Sequence, residues 1–119
     1  MKIDTDKSGL EMFFKPWQVA ALKAVREHPE GATSAIVWRR VLEETRISRA
    51  SIISFLEQLA REGILERWEE TGKGGHRGVY RLSLSESQLR VQLILKVLRK
   101  LLQEFPEETR NAIKTLREF

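Results

Sequence analysis

Two strand-like runs, ILERWEE and VYRLSL, flank the glycine-rich segment TGKGGHRG at residues 71–78. No other feature of the chain constrains its fold as strongly. Glycine enters positive φ without steric cost, so Gly72, Gly74, Gly75 and Gly78 let the chain turn back and the two runs pair as a hairpin. In VYRLSL, strict alternation puts Tyr80, Leu82 and Leu84 on one face and Val79, Arg81 and Ser83 on the other. The segment carries Lys73, His76 and Arg77 and no acid. It admits three readings: a phosphate cradle in an enzyme, a nucleic-acid contact, or a bare hairpin tip. A cradle fits poorly, because GxxxxGK[ST] fails where Gly74 follows Lys73, and GxGxxG fails at Arg77. A bare tip accounts for one or two glycines but not for the missing acids. Glycines that let backbone approach a groove, beside cations that neutralise phosphates, favour the nucleic-acid contact.

The rest of the chain reads as helical. Pro16 suits the first turn of a helix over about Trp17 to Glu27, with Val19, Leu22 and Val25 on one side and Ala21 adjoining, and Pro29 and Gly31 break it. A short extended piece precedes TSAIVWRRVLEET, a second helix capped by Thr33 or Ser34 with Ile36, Val37 and Val41 toward the core. After a tight turn, Ser48 caps a third helix whose Ile52, Phe55, Leu56 and Leu59 keep the i, i+3, i+4, i+7 spacing of one buried stripe. Gly63 closes it in a left-handed C′ position. Beyond the hairpin, SESQ opens a long helix with a capping-box pattern at Ser85 and Gln88, and Pro106 separates it from a short amphipathic one.

Composition removes several function classes. The 119 residues suit one domain with an appended helical segment. Without cysteine there are no disulfides or thiolate metal sites, and His28 and His76 stand too far apart for HExxH. No GxSxG marks a nucleophile. No metal, cofactor or catalytic residue is expected, so the chain does not read as an enzyme. No run is long enough to cross a membrane and the N-terminus is unlike a signal peptide, which together predict a cytoplasmic protein. The net charge of +4 is modest, so its distribution matters more than its sum.

The long helix carries Val91, Ile94, Leu98, Leu101 and Phe105 at 3-4 spacing, widened by Leu89, Leu93, Leu95, Val97 and Leu102. An apolar arc this wide exceeds what its own domain can cover, and a second copy of the helix buries the remainder by a two-fold contact. LEMFF near the N-terminus is a candidate to pack over that interface.

The order of elements, and the run ISRASIISFLEQLAREGILERWEETGKGGHRGVYRLSLSE in particular, resembles winged helix-turn-helix transcriptional regulators of the MarR, penicillinase-repressor and GbsR-like kinds. Leu59 and Gly63 match the Leu-x-x-x-Gly end of the recognition helix, 71–78 the wing, and Tyr80, Leu82 and Ser83 the returning strand. The resemblance covers about Trp17 to Glu86 and leaves the subfamily open. It implies a mainly α fold with a small β-hairpin (α+β): an arm at 1–15, a winged-helix domain at 16–84 and a dimerising segment at 85–119. The implied partners are double-stranded DNA and a second copy. Any small-molecule effector stays unknown.

On that fold, helix projection turns Ala50, Ser54, Glu57 and Arg61 away from the core, with Ser51 and Gln58 on one flank and Ile53 on the other. Arg49, Ser51, Ser54, Gln58 and Arg61 are therefore the expected DNA contacts of the third helix, and Lys73, His76 and Arg77 those of the wing. Arg39 and Arg40 are candidate phosphate contacts, or else ion pairs with Glu43 and Glu44. Glu57 is the discordant residue, since phosphates repel it unless it accepts from cytosine or pairs with Arg61. That acid favours the rival reading, a winged-helix module that binds another protein.

Overall fold

The computed structural model describes residues 2–72 and 74–118. Helix starts lie where side chains can serve the free backbone N–H groups. Pro16 opens α1 (Pro16–Arg26), and the Gln18 side chain accepts from the Lys15 N–H at 2.8 Å. Thr33 Oγ1 accepts from the Ile36 N–H at 3.3 Å to begin α2 (Ser34–Leu42). Ser48 Oγ accepts from the Ser51 N–H at 3.1 Å to begin α3 (Arg49–Arg61), and Gly63 follows its end at φ +76°.

These helices bury the stripes their spacing predicts: Ala21, Leu22 and Val25 in α1, Val37 and Val41 in α2, and Ile52, Phe55, Leu56 and Leu59 in α3. Val19 and Ile36 reach only a half-buried position. Phe14 and Trp17 both meet Phe55 edge-on, with ring centroids 5.7 and 5.4 Å apart, because that geometry sets positive ring edges against a negative face. They extend the core of the α1–α3 body. The arm is also less loose than its polarity suggests. The Asp4 N–H donates to the Met12 carbonyl at 2.8 Å, folding the arm back on a 3-10 turn at Gly9–Met12.

The sheet has three strands: β1 (Ala32–Thr33), β2 (Glu66–Gly72) and β3 (Gly75–Arg81), in the order β1-β3-β2 and antiparallel throughout. The expected loop at 71–78 is mostly ladder. Thr71 pairs with His76 and Gly72 with Gly75, and Gly74 and Gly75 at the tip take positive φ. Missing side chains do not stop backbone groups from pairing, so Gly72 and Gly78 lie within the strands. The returning strand also ends at Arg81, before Leu82 and Leu84. Its alternation fails because β3 is central and covered on both faces, so neighbouring Val79 and Tyr80 are both buried.

Gly31 explains one of those faces. It stands at φ +117°, and a Cβ there would lie 2.6 Å from Val79 Cγ1 and 2.8 Å from the Trp68 ring. Only glycine lets the backbone entering β1 come this close to the sheet.

A second unit begins at Glu86 and holds α4 (Glu86–Glu104) and α5 (Pro106–Arg117). Pro106 cannot continue α4 without a clash. Across the break, the Thr109 hydroxyl donates to the Leu101 carbonyl at 3.0 Å. Helices, strands and their order make an α+β layout, as the sequence implied.

Gly31→Ala is expected to destabilise the protein by about 2–4 kcal/mol, combining backbone strain with overpacking. Urea unfolding measures this, and an unchanged midpoint would mean that the Val79 and Trp68 contacts yield freely.

Candidate nucleic-acid interface

The outer edge of α3 presents Arg49, Ser54, Gln58 and Arg61 to solvent. Arg49, in the first turn, forms no hydrogen bond or ion pair among the described residues. It stands at the end of the helix whose dipole favours anions. Ser51 is less available. It is half-buried, and its hydroxyl shares a 2.8 Å bond with Ser48 Oγ, so it serves the helix cap. Gln58 also lines a groove of about 720 Å³ with Phe55, Leu59 and the N-terminal arm.

Glu57 resolves differently from either expected alternative. Its Oε1 accepts from Arg67 Nε on β2 at 2.8 Å and from the Tyr80 hydroxyl on β3 in a short bond. It therefore reaches the hairpin, while the Arg61 charge also acts on it. The Arg67 guanidinium also lies over the Tyr80 ring, 5.8 Å from its centroid. The arrangement depends on Gly78, because a Cβ there would sit 3.0 Å from Arg67 Nη2. Sequence reading missed Arg67 and Tyr80 as partners of Glu57. Their signal was the period-two register that sets Arg67 opposite Tyr80, visible only once the hairpin tip is placed.

Electrostatics follow from this geometry. The Tyr80 hydrogen bond, and with it the Arg67 guanidinium, holds the Glu57 carboxyl below the usual carboxylate range, against a smaller opposing effect of burial. Burial first, and then the Glu57 charge, push the Tyr80 phenol up. The Arg67 cation is stabilised in turn.

On β3, His76 and Arg77 are exposed, with His76 Nδ1 3.2 Å from Thr71 Oγ1. Lys73 lies outside the described residues. The hairpin is not purely cationic, since Glu70 pairs across from Arg77 and Glu69 from Gly78. These acids have other partners: Glu70 accepts from Trp68 Nε1 at 3.2 Å, and Glu69 lies 3.6 Å from Arg67 Nη2. Farther along the ladder Arg81 Nε donates to Glu66 at 3.2 Å, while the Arg81 guanidinium covers Trp68.

On α2 the arginine pair splits. Arg39 is exposed, with Nε 3.4 Å from the Ala35 carbonyl of its own helix. Arg40 is surrounded by Glu27, Glu43 and Glu44 at 3.5, 3.2 and 3.7 Å, the ion-pair alternative the sequence allowed. Trp38 braces the turn between α2 and α3 by donating from Nε1 to the Ile47 carbonyl at 2.9 Å. Among the described residues no group of histidines and acids could hold a metal ion, and no helix is long and apolar enough to cross a membrane.

No protein-family profile matches the chain, and no curated protein sequence does. Solved structures do match. One is a possible transcriptional regulator from Methanosarcina mazei Go1, with a TM-score of 0.57 and 14% identity over 86% of this chain and 78% of that one. Another is the PcaV transcriptional regulator from Streptomyces coelicolor in complex with its natural ligand, with a TM-score of 0.50 and 22% identity over 88% of this chain and 73% of that one. The fold is a winged helix. In this chain the β2–β3 hairpin is joined to α3 through Glu57.

Because folding lowers the Glu57 pKa, its contribution to stability is present above the ordinary value of 4.5 and is lost as pH falls through the lower folded value. Glu57→Gln should melt below wild type at neutral pH, and the gap should close on acidification past the ordinary value. Melting curves across that range decide it, and a gap independent of pH would assign Glu57 no role as a charged partner.

Proposed function

We propose that the chain is a DNA-binding transcriptional regulator that acts as a homodimer, without catalytic activity. The observation that carries this reading is the outer edge of α3, where Arg49, Ser54 and Arg61 are exposed while the Glu57 carboxylate accepts from Arg67 of the hairpin. In this reading α3 enters a major groove. Arg49 reads a guanine edge or holds a phosphate, Arg61 and Arg39 add backbone contacts, and Ser54 and Gln58 reach bases. His76, Arg77 and Lys73 carry the wing to the neighbouring minor groove or backbone. Ser51 supports the helix cap and Arg40 an ion-pair cluster, so both leave the contact set. The two regulator structures share this fold, which supports the reading.

Dimerisation is supported by α4. Val91, Ile94, Leu101 and Phe105 are 51, 50, 39 and 57% exposed, although Leu89 and Leu93 of the same helix are fully buried. Leu98 lies half-buried on the exposed line. A free stripe of this size in water is costly, and a second copy covers it with an identical stripe. Two copies would then meet two half-sites about 34 Å apart.

A protein-binding winged helix is the second reading. It is favoured by Glu70, an acid set across the ladder from Arg77, with Glu69 beside it opposite Gly78. It predicts no shift of any duplex.

Affinity for random duplex at two salt concentrations tests the first reading. The logarithm of binding should fall with the logarithm of salt by about 0.9 per phosphate neutralised, and a flat response removes the phosphate contacts. Arg77→Ala should reduce that slope by about one unit with equal losses on all sequences, whereas Arg49→Ala should cost about 1–3 kcal/mol and relax base preference. In sedimentation, the pair Ile94→Glu with Leu101→Glu should halve the mass of a dimeric wild type, and a monomeric wild type overturns the homodimer.

A further inference from the structure

Glu57 does something a solvent-facing acid does not: it ties two otherwise separate elements together. A winged-helix reader must place a helix and a hairpin in adjacent grooves at once, so the angle between them sets which steps each can reach. The hairpin is two-stranded where it extends past β1, since β1 pairs only with Thr33 opposite Val79 and Ala32 opposite Tyr80. A two-stranded ribbon bends and twists easily. Three side chains oppose that motion at its root. Arg67 comes from β2, Tyr80 from β3, and both donate to one oxygen of Glu57 on α3. Both strands are thus fastened to the helix at the same point. Gly78 leaves the strip of backbone that Arg67 crosses to get there.

We propose that Glu57 is a positioning residue that fixes the angle of the wing to α3, and so the separation between the bases read by the helix and the flank read by the wing. This rests on the DNA-binding reading. It makes the one acid of the α3 surface a determinant of specificity without base contact. Arg67 acts here as a strut, not as a phosphate contact, and Tyr80 shares its oxygen. Gly78 is part of the same device, because a methyl group there displaces the guanidinium while both charged partners remain in the chain.

Two experiments on the full chain test it, one with DNA and one without. Hydrogen exchange of wild type, Glu57→Gln, Tyr80→Phe and Gly78→Ala is compared at equal intervals below each melting temperature. The proposal expects amides of residues 68–72 and 75–78 to exchange on the order of threefold to tenfold faster in the variants while the α1–α3 core amides stay matched. Uniform acceleration across core and hairpin, or none, overturns the tether. Selection from random duplex then reads the separation between the two preferred blocks of sequence. Wild type should give one separation and the variants a spread of separations, and an equally sharp separation in Glu57→Gln overturns the role in specificity. A wild type that selects no duplex overturns the DNA reading instead, while the exchange result still decides whether the tether exists.

Discussion

One carboxylate oxygen on α3 accepts from both strands of the hairpin, and the arrangement of the reading surface depends on that junction. Without it the Glu57 carboxylate would stand unpaired beside Ser54 and Arg61, where on the DNA-binding reading it would repel a phosphate. With it the acid is neutralised by Arg67 and Tyr80, and the outer edge of the helix becomes cationic and polar. The same bonds make the hairpin continuous with the helix bundle. A charge that looks like a fault in the sequence is thus a structural joint, at the cost of holding an arginine and a glycine in fixed places.

Much of the fold was legible because its signals are local. Ser48 and Thr33 cap helices through bonds to residues three positions on, Pro16 begins a helix by its own ring, and Gly63 ends one by its own φ. The stripe Ile52, Phe55, Leu56 and Leu59 follows from 3.6 residues per turn alone. Each is decided within about one turn of chain.

What sequence reading missed is non-local. The extent of the β-ladder, the central place of β3, and the two-sided burial of Val79 and Tyr80 all depend on which strand lies next to which. Helix projection placed Glu57 opposite the core, and it does lie off the buried stripe. Its direction was set by partners ten and twenty-three residues away. Arg40 shows the opposite case. Its partners Glu43 and Glu44 were within reach of a helical count, and only Glu27, from the end of α1, required the tertiary structure.

Arg77 shows how little the sum of charge says. Its cross-strand neighbour Glu70 has the register for a pair, yet bonds to the Trp68 indole instead, so Arg77 keeps an open guanidinium beside an acid that is only partly neutralised. Arg49 differs, because helix dipole and side-chain charge add at the N-terminus of α3. On the DNA-binding reading proposed above, the start of α3 would therefore supply the stronger attraction for a duplex, and the hairpin held by Glu57 a contact in which the Arg77 guanidinium meets a phosphate directly.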